Sequence, residues 1–344
     1  MHLTHLETVA NSLVAPGKGI LAADESNPTI TKRFDTIGLK STEENRRAYR
    51  ETLFGTPSLN EFISGVILFE ETLRQKNSRG VSLAEALTEQ QIIPGIKVDK
   101  GVEPIPNFPE EKVTAGLDGL RERLAEYYQL GARFTKWRAV ISIGEKVPTD
   151  FGRKMSARGL ACFAALSQEA GMVPIVEPEV LMDGAHTIER CAEVTEEILH
   201  KVFYELREQR VRLEQMLLKP SMVISGEDCS EQAGIEDVAE KTLRCLRRTV
   251  PAAVPGVVFL SGGQSDALAT AHLNAMNKLN HVPWQLSFSY GRALQAPALK
   301  IWKGAAANIS AAQKALYHRA KCNSLARYGH YFAEMEKESE ATRS

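Results

Sequence analysis

The chain is short of the features that mark many specialised proteins. Its five cysteines (Cys162, Cys191, Cys229, Cys245 and Cys322) are an odd number, widely spaced, with no CxxC pair. That argues against a disulfide framework and a zinc site, and for a reducing compartment. The eight histidines form no HxH or HExxH pattern, so no metal centre is expected. Neither sign of charge is in excess: 43 acidic residues face 42 basic ones, for a net charge of -1. There is thus no electrostatic case for binding nucleic acid or a membrane surface. No stretch reaches membrane-spanning length, and the first residues lack a basic start followed by a long apolar run, so a cytoplasmic protein is expected. No linker, repeat or low-complexity segment divides the 344 residues. No GxGxxG opens a helix, which weighs against a doubly wound dinucleotide-binding sheet.

What the chain has is a series of short apolar runs: Ile20–Ala23, Gly65–Phe69, Gly95–Val98, Phe134–Val140, Val173–Val176, Met216–Leu218, Val257–Leu260 and Leu286–Ser289. Their starts are roughly 30 to 45 residues apart, the length of a strand, a loop and a helix. Several are apolar almost throughout, as parallel strands buried on both faces should be. Helical signals lie between them. Ser41-Thr42-Glu43-Glu44 reads as a capping box opening a helix over Thr42–Phe54. Apolar residues at helical spacing predict helices over His186–Arg210, Ile235–Val250, Asp266–Leu279 and Ile309–Tyr331. Eight strand–helix units in one undivided chain are most simply an eight-stranded parallel (β/α)8 TIM barrel forming a single domain. From about Glu334 the chain becomes strongly charged with almost no apolar anchor, and a mobile tail is expected there.

In such a barrel the active site lies at the carboxyl ends of the strands, and those ends carry chemistry. The sixth run ends in Lys219, followed by Pro220, which biases the lysine towards extended backbone. A lysine in that position either ends a strand and reaches water, or is a buried amine freed for attack on a carbonyl. The other ends offer Asp24-Glu25-Ser26, Lys97 with Asp99, Lys136 with Arg138, and Glu177 with Glu179. The last three pairs are two residues apart, so both members can point into the barrel, with Trp137 outward. Each pair alone could be a structural ion pair, but charges at so many adjacent strand ends are costly unless paired or used.

Two ends suggest phosphate. Ser261-Gly262-Gly263 precedes a helix, so backbone N–H groups can face an anion, and Ser289-Tyr290-Gly291-Arg292 adds a guanidinium. Lys97, with Lys32 and Arg33 after the first run, forms a second cationic group, read as lying across the barrel. Lys32 and Arg33 could equally be a solvated helix face. If both groups bind phosphate, the substrate is a small bisphosphate whose carbonyl lies near Lys219.

With these residues the chain resembles the class I, Schiff-base-forming fructose-bisphosphate aldolases. The resemblance runs from about residue 18 to 325. It is carried by Leu21-Ala22-Ala23-Asp24-Glu25-Ser26, Thr42-Glu43-Glu44-Asn45-Arg46-Arg47, Gly65-Val66-Ile67-Leu68-Phe69 and Gly95-Ile96-Lys97-Val98-Asp99-Lys100-Gly101. It continues in Lys136-Trp137-Arg138, Val173-Pro174-Ile175-Val176-Glu177-Pro178-Glu179 and Leu217-Leu218-Lys219-Pro220. Phe259-Leu260-Ser261-Gly262-Gly263-Gln264-Ser265 and Phe288-Ser289-Tyr290-Gly291-Arg292-Ala293-Leu294-Gln295 complete it.

The resemblance implies that Lys219 forms the imine and Asp24 stands beside the scissile bond. It implies that Glu177 is the acid and base, that Glu179 tunes the site and that Lys136 is the second, charged lysine. Arg138 would line the cleft. Ser261, Gly262, Gly291 and Arg292 would hold the C1 phosphate, and Ser289 would also bind substrate. Ser26, Thr29 and Lys97 would hold the C6 end, where Lys32 and Arg33 are also expected. It further implies no cofactor, a sugar bisphosphate substrate and a homotetramer. Two departures stand out. The chain ends in Glu338-Ser339-Glu340-Ala341-Thr342-Arg343-Ser344, without the terminal tyrosine of well-known animal members. Asn27-Pro28-Thr29 replaces the more familiar Thr-Gly-Ser, keeping a hydroxyl but stiffening the turn. The competing readings are another Schiff-base barrel, such as a transaldolase-like or keto-acid aldolase, and a non-catalytic scaffold barrel.

Overall fold

The computed structural model describes residues 4–279 and 282–336. Its strands are β1 (Gly19–Ala23), β2 (Ile63–Leu68), β3 (Ile93–Lys97), β4 (Val102–Ile105) and β5 (Phe108–Thr114), then β6 (Phe134–Ile141), β7 (Val173–Val180), β8 (Leu217–Leu218), β9 (Gly256–Phe259) and β10 (Gln285–Tyr290). Among the described residues the sheet closes in the order β1-β10-β9-β8-β7-β6-β3-β2. Every pairing around the ring is parallel. This is the barrel that the spacing of the apolar runs predicts.

Alternation along each strand sorts side chains into two cores. Ile20, Ala22, Ile67, Phe134, Val173, Ile175, Leu217 and Val258 fill the inside, together with Val9, Ala10, Leu13 and Val14 from the N-terminal segment. Leu21, Ala23, Val66, Trp137, Val176, Leu218 and Val257 face the helices. Trp137 stacks on Phe163 at 5.6 Å between ring centroids, so it points outward as expected. The interior is tight at its amino end. A Cβ at Gly65 would lie 2.6 Å from Leu13 and 3.0 Å from the Phe134 ring, and one at Gly95 would overlap that ring. Only glycine at these two inward positions lets the Phe134 ring fill that layer. The helix His5–Leu13, capped by Thr4, then closes the amino end with Val9, Ala10 and Leu13 buried. The sequence signal for this helix, the capping box Thr4-His5-Leu6-Glu7, was passed over; both of its bonds form.

The expected helices are present with trimmed ends: Glu43–Phe54, Ile188–Glu208, Ile235–Thr249, Asp266–Lys278 and Ile309–Ala326. Thr42 is the cap of the first, but it accepts from Asn45 and no reciprocal glutamate bond completes a capping box. The last helix stops well short of Tyr331, and Gly329 follows in a left-handed conformation at φ 70°. The segment beyond it is tied down. Tyr331 N–H donates to Asn274 Oδ1 at 2.9 Å, and Tyr331 Oη donates to Glu336 Oε1 at 2.7 Å. Glu336 also pairs with the buried Arg319. Glu334–Glu336, the start of the expected mobile tail, therefore leads into an anchor. Residues 337–344 lie outside the described residues.

Two features had no warning in the sequence. β4 and β5 form an antiparallel hairpin outside the barrel, turning at Pro106 and Asn107, with Asn107 left-handed at φ 66°. β7 also runs past Val176 to Val180, because β6 pairs with it up to Ile141. Among the described residues no helix is long and apolar enough to cross a membrane.

Candidate active site

The period that places Ile20, Ala22, Phe134, Ile175 and Leu217 inside the barrel continues past the apolar residues. It brings Asp24, Lys136, Glu177 and Lys219 to the same inner face at the carboxyl end. Pairing holds them level: Lys97 lies opposite Lys136 and Arg138 opposite Glu177, and Lys219 N–H donates to Val176 O at 2.8 Å. Lys219 Nζ lies 3.1 Å from Glu177 Oε1, and Lys136 Nζ lies 3.3 Å from Glu177 Oε2. Lys136 Nζ also pairs with Asp24 Oδ2 at 2.7 Å and approaches Asp99 Oδ2 at 4.0 Å. Asp99 Oδ1 holds Lys97 at 2.7 Å. Lys136, Glu177 and Lys219 are each 4% exposed.

Two charges in this cluster are fixed by their neighbours. Burial works against the Asp24 carboxylate, but Lys136, Lys219 and Lys97 outweigh it and hold it well below the usual carboxylate range. Burial also disfavours the Lys136 ammonium, yet Asp24, Glu177 and Asp99 push it above the usual lysine value. Lys136 is therefore a permanent cation and a poor nucleophile. At the rim, burial raises the Glu179 carboxyl, with Arg138 opposing and the Glu177 charge adding to it. Arg138 Nη1 lies 3.1 Å from Glu179 Oε2. The Ser289 hydroxyl is buried beside the cluster and has no hydrogen-bond partner among the described residues.

These groups line a cavity of about 1380 Å³ at the barrel mouth. Every site residue anticipated from the sequence borders it, including Ser26, Thr29, Lys32, Arg33, Ser261, Gly262, Gly291 and Arg292. Gly262 and Gly263 are left-handed, at φ 52° and 92°. A Cβ at Gly263 would collide with Met182 and lie 3.6 Å from Arg292 Nη2. The turn and the guanidinium thus share one corner of the mouth. On β1's side, Ser26 precedes the helix Asn27–Asp35 but makes no cap bond. Its hydroxyl lies 3.1 Å from that of Thr29. The backbone N–H groups of that first turn remain open to an anion, except at Pro28, which has none.

One expectation of geometry fails. Lys32 and Arg33 do not lie across the barrel from Gly291 and Arg292. Ring closure makes β1 and β10 neighbours, and Arg33 Nη2 comes within 3.6 Å of where a Cβ at Gly291 would be. Lys97 on β3 is the residue that stands opposite β9. Arg33 is also not free. It pairs with Glu25, whose other oxygen lies 2.7 Å from the buried Arg50 and which accepts from Gln295 Nε2 at 2.8 Å. Glu25 was in the quoted motif without a role. Its place beside Asp24, facing the helix layer by alternation, is the signal that could have found this strut. Asp183 and Glu227 also border the cavity, on loops joined by three backbone hydrogen bonds. Nothing in the sequence marks those loops.

A family model described as fructose-bisphosphate aldolase class-I matches residues 5–344. The probable fructose-bisphosphate aldolase class 1 of Xanthomonas axonopodis pv. citri (strain 306) is 58% identical over 330 residues, 96% of this chain and 99% of the relative. The fructose-bisphosphate aldolase of Dictyostelium discoideum is 56% identical over 332 residues, 96% and 93% of the two chains. A solved structure of the Plasmodium falciparum fructose-bisphosphate aldolase, in a ternary complex with TRAP and a small-molecule inhibitor, superposes with a TM-score of 0.94. It is 55% identical and covers 95% of each chain. A barrel of this topology, two lysines bridged by one carboxylate and near-full-length likeness to such relatives lead to one assignment. The chain belongs to the class I fructose-bisphosphate aldolases, lyases that cleave fructose 1,6-bisphosphate reversibly to dihydroxyacetone phosphate and glyceraldehyde 3-phosphate through a lysine Schiff base.

Proposed function

We propose that Lys219 is the imine-forming lysine and Glu177 its proton partner. The observation that carries this is the 3.1 Å contact between Lys219 Nζ and Glu177 Oε1, beside a Lys136 already neutralised by Asp24. Glu177 takes a proton from the Lys219 ammonium, and the amine adds to the ketose C2 carbonyl. The same carboxyl returns a proton to the carbinolamine hydroxyl, which leaves as water. The iminium then accepts the electron pair of the C3–C4 bond while a carboxylate takes the C4 hydroxyl proton. Glyceraldehyde 3-phosphate departs and an enamine remains on Lys219. Protonation at C3 and hydrolysis release dihydroxyacetone phosphate and restore the amine. Asp24, ionised and next to the scissile bond, stabilises the charge that Lys219 carries as an iminium. Glu177 is the leading donor for the C3 proton. Glu179 and Arg138 tune the rim.

The phosphates occupy two ends. Ser261, Gly262, Gly291 and Arg292 take the ketose phosphate, with Ser289 offering its unpartnered hydroxyl near the reacting carbons. Lys97, Ser26 and Thr29 take the other phosphate, and Lys32 and Arg33 stand between the two ends. Arg292→Ala is expected to weaken both fructose 1,6-bisphosphate and fructose 1-phosphate by about ten- to a hundredfold in KM, since charge-assisted bonds contribute about 1.5–3 kcal/mol. Lys97→Ala is expected to penalise the bisphosphate much more than the monophosphate. Equal losses on the two sugars would refute the two-ended arrangement.

Cleavage is also expected to survive EDTA, because the iminium is the electrophile. Loss of activity restored by added Zn²⁺ would overturn the Schiff-base roles. The wider reading is a single-domain, cytoplasmic enzyme working as a homotetramer. Light scattering giving a mass near four times 38.0 kDa is the result that supports the last point.

A further inference from the structure

Gln264 follows the Ser261-Gly262-Gly263 turn and is 6% exposed. Its backbone N–H donates to Ser261 O at 3.0 Å, and its Nε2 donates to the same carbonyl at 3.1 Å. Nε2 also lies 3.6 Å from Met222 Sδ, three residues beyond Lys219. One side chain thus ties the turn after β9 to the segment after β8. A second tie runs parallel, from Leu260 N–H to Pro220 O at 3.2 Å. The other end of the Gln264 amide is not left to itself. Its Oε1 stands 2.6 Å from Nδ1 of His272, on the second turn of the helix Asp266–Lys278.

The hydrogen-bond inventory fixes the orientation of both groups. The NH₂ of Gln264 faces two acceptors, so its oxygen faces the ring, and His272 Nδ1 must carry the proton. His272 is 3% exposed, and its Nε2 has no hydrogen-bond partner among the described residues. Burial pushes the imidazole down to about 4, which keeps it a neutral donor at working pH. Turning the Gln264 amide round would set its oxygen against the Ser261 carbonyl and its NH₂ against the Nδ1 proton. His272 is therefore what makes one of the two amide orientations much the better.

We propose that His272 is a positioning residue for phosphate binding: by fixing the Gln264 amide it holds the Ser261–Gly263 turn in register with the strand end that carries Lys219. This rests on the assignment of that turn to the ketose phosphate. A histidine that merely fills the space between helix and barrel would affect every activity alike. A positioning histidine affects only ligands that bear the phosphate.

The test is borohydride trapping of Lys219 in the full-length enzyme, with dihydroxyacetone phosphate and with unphosphorylated dihydroxyacetone. For His272→Leu, the half-saturating concentration of dihydroxyacetone phosphate is expected to rise about tenfold, with trapping by dihydroxyacetone unchanged. His272→Asn is expected to restore the wild-type value, because its Nδ2–H can donate to Gln264 Oε1. Should the leucine variant not fold, Gln264→Met, at similar volume, removes the amide that His272 fixes together with its bond to Ser261 O, and the two ketoses are compared in the same way. No change with the phosphorylated ketose, or equal weakening with both ketoses, overturns the proposal. Arg292→Ala separates the two layers of argument. If it too leaves dihydroxyacetone phosphate unaffected, the phosphate assignment itself is wrong. If it weakens the phosphorylated ketose while His272→Leu does not, only the role of His272 falls.

Discussion

Lys219→Ala is expected to lose cleavage of fructose 1,6-bisphosphate by at least about 10⁴-fold in kcat/KM, roughly 5 kcal/mol of transition-state stabilisation. It should also take no label from dihydroxyacetone phosphate and borohydride. No other amine of the cluster can replace it, because Lys136 is held as a cation by Asp24 at 2.7 Å and by Glu177 at 3.3 Å. Lys219→Arg is expected to be as inactive as alanine, since a guanidinium stays protonated and does not add to a carbonyl. Intact-mass and peptide mapping check both variants. A label on Lys136 in the wild-type enzyme would mean that the two lysines exchange roles.

The second large effect is at Glu177. Glu177→Gln keeps the shape of a side chain that touches both lysines but cannot take up or return a proton. General acid–base catalysis contributes about 10²- to 10⁴-fold, and kcat should fall by that amount with KM little changed. Imine trapping should slow in parallel, because dehydration of the carbinolamine needs the same carboxyl. Lys136 keeps Asp24 as a partner, and the glutamine Oε1 can still accept a hydrogen bond from Lys219 in place of the lost ion pair, so the fold should survive. A kcat within about threefold of wild type would remove Glu177 from the mechanism and direct attention to Glu179. That residue is the other carboxyl of the same strand, already raised by burial.

The clustering of the charged groups at the barrel mouth was legible because a strand has a period of two. Once Ile20, Phe134, Ile175 and Leu217 are inside the barrel, Asp24, Lys136, Glu177 and Lys219 follow in phase. What the sequence hid has physical causes of a different kind. The nearness of Arg33 to Gly291 comes from ring closure between the first and last barrel strands, a contact between residues 258 positions apart. The hairpin of β4 and β5 is rich in exposed charge and shows no apolar alternation to betray it. β7 outlasted its apolar run because its partner strand carried it past Pro178. The anchor of the C-terminal segment lies in an exchange of one arginine, one tyrosine and one glutamate. Composition had read that segment only as charge.

Among the described residues, the helix His5–Leu13 and the layer holding Phe134 block the amino end of the barrel and leave the carboxyl-end mouth as its doorway. Substrate, water and both products must use the carboxyl-end mouth. With Lys219 as the proposed imine lysine, the ketose half stays tethered while the enamine lasts, so the aldehyde half has to leave first. In the direction of synthesis the aldehyde correspondingly arrives second, onto an enzyme already carrying its nucleophile. The order of traffic is thus set by architecture and covalency together: dihydroxyacetone phosphate should inhibit cleavage competitively with fructose 1,6-bisphosphate, whereas glyceraldehyde 3-phosphate, meeting the loaded enzyme, should not.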